Sequence, residues 1–208
     1  MSAAEVDAAI TAMMAGNGEA NAYLMAFAET DAAWGVALEL LGAGGSSPTC
    51  QFYAANMLHA KVSRHWRSLA PPQRGELCAA LFALYDRVAC GGARLETAAQ
   101  HRFCLLTAAL CARCGANDAA GFAPLIRRVL DCASAAAAAS SGADVTAALL
   151  LSLDMAAALP EAAGLADLTG DQREALQLML AQAQTEIFGF LQYALLDAAP
   201  VHAASPCA

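Results

Sequence analysis

Apolar residues recur every three or four positions along most of the chain, and this period predicts helices. The clearest case begins at Ser47, which suits an N-cap, and Pro48, which fits the first helical position. Two adjoining apolar stripes follow. The first contains Phe52, Ala55, Leu58, Val62, Trp66 and Leu69, and the second contains Tyr53, Met57 and Ala60. A helix that is apolar over so wide an arc packs against neighbours on both sides, as in the middle of a helical stack.

The same period, interrupted by Gly-rich and Pro-rich turns, predicts about nine helices. They are expected at 3–15, 19–29, from 30 or 31 to about 41, 47–69, 72–90, 95–114, 122–132, 144–159 and 171–196. The tract 134–142 consists mainly of Ala and Ser and is interpreted as a loose insert. Residues 197–208 show no period and are expected to form a disordered tail.

Taken in pairs, the predicted helices repeat at roughly forty residues. No single pair can bury both of its apolar faces, so the pairs must stack on one another. We therefore predict an all-α fold: an α-α superhelix (HEAT/armadillo-like solenoid) of about four to five antiparallel helix pairs over residues 1–196. Trp34, Phe52 and Trp66 are the predicted core anchors. A compact helical bundle is the structural alternative.

The composition and net charge of the chain limit the kinds of molecule that it can bind without sequence specificity. The 208 residues are 59% hydrophobic and carry a formal net charge of −8, which argues against sequence-independent binding to nucleic acid or to anionic membranes. The most apolar run, 145–159, is interrupted by Asp154, closed by Pro160 and short for a bilayer, so we expect no membrane-spanning segment. The first residues include acids without a basic flank, which does not resemble a secretory signal.

The eight cysteines are expected to be reduced thiols of a cytosolic or nuclear protein. His101, Cys104, Cys111 and Cys114 share one side of a predicted helix but spread over roughly 20 Å, too far for one tetrahedral zinc. The Cys111-x-x-Cys114 pair lies at a helix C-terminus, where the helix dipole disfavours a thiolate. We interpret these cysteines as core thiols and predict no catalytic residue, metal or cofactor.

The chain around the clearest helix resembles the importin-β (karyopherin) superfamily. The second repeat of that family has two aromatics, two alanines, a glutamine, a leucine and a lysine; here the corresponding residues are Phe52, Tyr53, Ala54, Ala55, Asn56, Leu58 and Lys61, followed by Trp66 and Leu69. Residues similar to the first repeat are Asn21, Ala22, Leu24, Phe27, Ala33 and Trp34. Downstream, Leu159-Pro160-Glu161 and the following helix resemble the transportin-SR and importin-thirteen-like branch.

The resemblance implies the N-terminal repeats of a nuclear transport receptor that shuttles between cytoplasm and nucleus. In that family these repeats grip the GTP form of the small GTPase Ran through their inner helices. Cargo proteins and nucleoporins are further implied partners. On this basis Asn56, Lys61 and Arg64, with Gln100 from the next inner helix, are the predicted Ran-facing residues. Family members are much longer, so a fragment or a short form is implied.

Two other functions remain open. One is a generic HEAT-like helical scaffold for protein–protein interaction unrelated to transport. The other is an enzyme with a Cys/His site. Preference for GTP-loaded over GDP-loaded Ran distinguishes a transport receptor from a generic scaffold, and loss of activity on thiol alkylation without unfolding would indicate the enzyme.

Overall fold

A computed structural model describes residues 2–43, 46–115, 121–138, 143–165 and 167–193. These ranges contain nine α-helices and no strand, which confirms the all-α prediction. The helices are α1 (Ala3–Met14), α2 (Gly18–Ala28), α3 (Ala32–Gly42), α4 (Pro48–His65), α5 (Pro71–Ala89), α6 (Thr97–Cys114), α7 (Phe122–Ala138), α8 (Ala143–Ala163) and α9 (Gly170–Gln192).

Helices α4, α6 and α8 form the central layer of the stack. Helix α6 packs against α4 on one side and α8 on the other, while α3 packs on α4, and α7 packs on both α8 and α9. Helices that are two positions apart in the chain therefore pack together, as α4 with α6, α6 with α8 and α7 with α9. This arrangement is a solenoid of helix pairs, as the forty-residue period predicts. Helix α6 is accordingly buried over most of its surface, with Phe103, Leu106 and Leu110 inaccessible to solvent.

The helix starts follow from capping residues that the sequence displays. The Ser47 hydroxyl accepts a hydrogen bond from the Cys50 amide at 3.2 Å, and Pro48 occupies the first turn of α4. At α9, Thr169 and Gln172 form a capping box, with the Gln172 backbone amide 3.2 Å from the Thr169 hydroxyl. These caps fix where α4 and α9 begin.

The helix predicted over 47–69 ends at His65 and is followed by a 3-10 turn, Trp66–Ser68, whereas two other helices extend further than predicted. Residues 134–138 continue α7 rather than forming a loose insert, because alanine has the highest helix propensity and the tract adds no helix breaker before Ala138. Residues 139–142 and the predicted tail 197–208 lie outside the described residues. Helix α8 also continues past Pro160 to Ala163, since a proline in the last turn removes only one late hydrogen bond.

Because α8 continues to Ala163, its apolar stretch is longer than the predicted run 145–159. The window Thr146–Ala163 has the length and hydropathy of a membrane-crossing helix, but half of it is buried inside the protein. Helix α8 contacts α5, α6, α7 and α9. Its apolar character is therefore explained by its central position in the stack.

The predicted core anchors are not equally buried. Trp66 is 7% exposed, as predicted, and Trp34 is half-buried against the core. Phe52 is 40% exposed, so its prediction as a core anchor is wrong. The reason is helical geometry: Phe52 shares an exposed strip of α4 with Asn56 and Ser63, at spacings of four and seven residues.

Helix α9 is expected to exchange its backbone amide hydrogens faster than α4. Leu176 and Phe190 are buried in α9, whereas Leu178 and Phe188 are 60% and 66% exposed. Fewer buried contacts lower the free energy of local opening. Hydrogen exchange followed by mass spectrometry measures this directly. Equal protection of the two helices would contradict the expectation.

Candidate partner-binding surface

Helices α2 and α4 border a groove of about 220 Å³. Three of the four predicted partner-binding residues, Asn56, Lys61 and Arg64, line it. Its apolar lining consists of Met25, Ala28, Tyr53, Met57 and Ala60, and its polar lining also includes Glu29 and His65. We call this set of residues the α2–α4 groove. Concave sites with apolar walls and a few polar groups are typical binding sites.

Lys61 lies deeper in the groove than the sequence suggests. It is 4% exposed, and its ammonium donates hydrogen bonds to the carbonyl oxygens of Ala28 and Thr30, each at 2.8 Å. Ala28 is the last residue of α2, where carbonyls lack partners within the helix. Lys61 therefore joins the α2–α3 turn to α4, and its role as a Ran-facing residue stays a prediction.

Two further interactions fix the Lys61 ammonium. It lies 5.0 Å from the centroid of the Trp34 ring, within range of a cation–π interaction. Burial lowers the pKa of Lys61, and the charges of Glu29 and Asp31 act in the opposite direction. The lysine and tryptophan that carry part of the family resemblance thus contact each other, and both hold the turn between α2 and α3.

The rim of the groove carries an exposed ion-pair cluster. Glu29 accepts a hydrogen bond from Arg64 at 3.0 Å and lies 3.1 Å from the His65 ring nitrogen Nε2. The Arg64 and Glu29 side chains are 65% and 54% exposed, so the pair adds little stability but remains available to a partner. Sequence reasoning missed Glu29 because it lies 35 residues before Arg64 and no local pattern connects them.

Gln100 lies apart from the other three predicted residues. It is 9% exposed, and its amide donates to the Asp154 carboxylate at 2.6 Å, which joins α6 to α8. It lines a second groove, of about 560 Å³, between the α5–α6 connection and α8. Its amide group is therefore engaged in packing between neighbouring repeats.

Asn56 and Arg64 are the two exposed members of the four predicted partner-binding residues. It lies on the exposed strip of α4 beside Phe52, and its amide makes no hydrogen bond among those found in the described residues. Where the family has glutamine, this chain therefore presents a shorter amide on the same strip. A partner that docks on the groove meets Asn56 and Arg64 before it meets Lys61.

His59 on α4 lies within electrostatic range of two arginines of α6, Arg102 and Arg113. Burial is the main cause that lowers the pKa of His59, and the charges of Arg102 and Arg113 lower it further. Arg113 is itself held by Asp167, with Nε–Oδ2 and Nη2–Oδ1 distances of 2.8 and 3.0 Å. Arg113 is thus fixed in position by Asp167.

The lowered pKa of His59 predicts an acid-sensitive contribution to stability. As the pH falls, His59 of the unfolded chain binds a proton near pH 6.5, whereas His59 of the folded chain binds a proton only at lower pH. The free energy of unfolding is therefore greatest above pH 6.5 and falls as the pH drops through the folded-state pKa. We expect the thermal midpoint of the wild type to fall more between pH 7.5 and 5 than that of His59→Gln. Parallel pH profiles for the two proteins would contradict this.

The cysteine and histidine residues considered for metal binding do not converge. Cys104 and Cys111 are buried in the core, whereas His101 is exposed beside Asp154. Within the described ranges no group of three or more His, Cys, Asp or Glu side chains is arranged to hold a metal ion. Burial raises the pKa of both Cys104 and Cys111, which disfavours thiolate chemistry.

Comparison with known families gives one match in this region. Residues 20–79 match the family model of the importin-beta N-terminal domain. The matched segment runs from α2 into α5 and contains the entire α2–α4 groove. It supports the resemblance to the importin-β superfamily, a group of transport receptors, without distinguishing its branches. The comparison with curated proteins gave no match.

Proposed function

We propose that this chain is the N-terminal part of a nuclear transport receptor that binds Ran in its GTP form. The main support is that the importin-beta N-terminal domain match covers residues 20–79, the same segment that builds the α2–α4 groove. The solenoid continues beyond this segment through α9, as repeats of such a receptor do. The acidic net charge agrees with a protein partner rather than nucleic acid.

Within this proposal the four predicted residues have different roles. Asn56 and Arg64 contact Ran directly, because both are exposed at the groove. Lys61 holds the α2–α3 turn in place beneath them, and Gln100 holds α6 against α8. The proposed site is therefore a short exposed row on α4 supported by the buried Lys61, while Gln100 acts in the packing of α6 against α8.

Cargo and direction of transport are finer parts of the same proposal. The resemblance of Leu159-Pro160-Glu161 to the transportin-SR branch favours an importer, in which Ran-GTP and cargo compete. Linkage requires that each ligand then weakens the other by the same factor. Nucleoporins are further proposed partners, and shuttling between cytoplasm and nucleus is the proposed localisation.

The direct test is a pull-down with immobilised Ran in its GTP and GDP forms. Retention by the GTP form alone is the expected result. Equal retention by both forms would favour a helical scaffold that recognises proteins without regard to nucleotide. No retention by either form would remove Ran from the proposal.

Charge reversal at Arg64 tests the proposed surface. Arg64→Glu is expected to weaken binding of GTP-Ran by about tenfold to a hundredfold, since it reverses a charge at the edge of the contact. Stability should change little, because the Arg64–Glu29 pair is exposed. The matched control is Arg127→Glu, an exposed arginine on α7. Equal loss in both variants would indicate a general charge effect rather than a site.

A further inference from the structure

A pair of thiols joins two helices at one end of the central layer. The Sγ atoms of Cys78 on α5 and Cys114 on α6 lie 3.3 Å apart. Cys78 is 1% exposed, while Cys114 is the last residue of α6 and is partly exposed. The two residues are 36 positions apart, so the sequence alone does not connect them.

The sulfur atoms are close enough to form a bond with a small movement. A disulfide requires about 2.05 Å between the sulfur atoms, so the gap must close by about 1.3 Å. Cys114 ends α6 next to Gly115, and a helix end moves more easily than its centre. The Cys111-x-x-Cys114 spacing suggests another pairing, but Cys111 is fully buried in the core.

We propose that Cys78 and Cys114 form an oxidative modification site that reacts with hydroperoxides to give an intramolecular disulfide. The partly exposed Cys114 thiol loses its proton, its sulfur attacks one peroxide oxygen and the O–O bond breaks, so a sulfenic acid forms and water or an alcohol leaves with the proton. Because Cys114 ends α6, where the helix dipole disfavours the thiolate, this step is slow. Cys78 then attacks the Cys114 sulfur, the S–S bond forms, and the sulfenic oxygen leaves as water with the remaining thiol proton. Two thiols are oxidised by two electrons and one hydroperoxide is reduced.

The bond would fasten α5 to the end of α6. It would close the chain from residue 78 to residue 114, and closing a loop of that length restricts the unfolded chain strongly. In a reducing compartment such a disulfide is transient and responds to oxidants. Oxidation would therefore rigidify the repeat that follows the α2–α4 groove without adding any group to the groove itself.

Peptide mapping after oxidation identifies the pair without ambiguity. The protein is treated with hydrogen peroxide at low concentration, the remaining thiols are alkylated in denaturant, and the chain is digested with trypsin. Cleavage at arginine places Cys78 in peptide 75–87, Cys114 in peptide 114–127, and Cys104 and Cys111 together in peptide 103–113. The expected product is a reducible link between 75–87 and 114–127.

Variants and a second measurement complete the test. Cys78→Ser should abolish the link, whereas Cys90→Ser, which removes an exposed thiol, should retain it. Oxidation should raise the thermal midpoint of the wild type by about 5–15 °C, and a phosphine reductant should reverse the rise. The proposal is overturned if Cys90 is fully oxidised while no link forms, if the link joins 103–113 instead, or if Cys78→Ser keeps the thermal shift.

Discussion

Lys61→Glu is expected to lower the free energy of unfolding by about 3–5 kcal/mol, the range seen when one partner of a buried charged contact is removed. The substitution replaces an ammonium that donates to the Ala28 and Thr30 carbonyls by a carboxylate that repels them. It also ends the cation–π contact with Trp34. Chemical denaturation measures the loss directly, and the thermal midpoint should fall by roughly 10 °C in a chain of this length.

Two variants separate the causes of this loss. Lys61→Met retains most of the apolar stem but leaves the two carbonyls unpaired, for which we expect a smaller loss of about 1–3 kcal/mol. Arg64→Glu reverses a charge one turn further along α4, and it should change stability by no more than about 1 kcal/mol because the site is exposed. A Lys61→Glu protein as stable as Arg64→Glu would show that Lys61 is solvated.

Phe103→Ala is expected to have the second large effect, a loss of about 3–5 kcal/mol. Phe103 is inaccessible to solvent on α6, the helix that packs against both α4 and α8. Truncating it leaves a cavity in the central layer, where neighbours on two sides restrict collapse. Equilibrium unfolding in urea measures the change.

Phe52→Ala is the matched control for this experiment. The same residue type is removed, but Phe52 is 40% exposed on α4, so the loss should stay near 1 kcal/mol. Similar losses at the two positions would show that burial on α6 does not dominate stability. Because Phe52 lies on the exposed strip beside Asn56, its truncation should affect partner binding more than stability.

The local features of the fold could be predicted because they depend on nearby residues. The Ser47–Pro48 start of α4 and the Thr169–Gln172 capping box each need only a few consecutive positions. The Ala-rich end of α7 is helical although its low complexity predicts a loose insert, because the helix propensity of alanine dominates there. Likewise, Pro160 predicts the end of α8, but the helix accommodates this proline in its last turn.

The candidate site was predicted less well because it depends on contacts between distant residues. Lys61 looks like a surface lysine on α4, and only the packing of the α2–α3 turn shows that its ammonium is enclosed. Gln100 is occupied by Asp154, which lies 54 residues later, and Glu29 joins the groove from another helix. Asn56 and Arg64 are exposed, as a row of polar residues at helical spacing on α4 allows.

Calorimetric titration of the wild-type chain with GTP-loaded and GDP-loaded Ran measures nucleotide-dependent recognition of Ran directly. We predict saturable one-to-one binding to the GTP form with an affinity at least about tenfold higher than for the GDP form, which corresponds to about 1.4 kcal/mol. The Lys61→Met protein, measured below its thermal midpoint, should still prefer GTP-Ran, because Lys61 holds the α2–α3 turn rather than contacting Ran. Equal affinities for the two forms, or no heat of binding with either, would contradict nucleotide-dependent recognition of Ran by this chain.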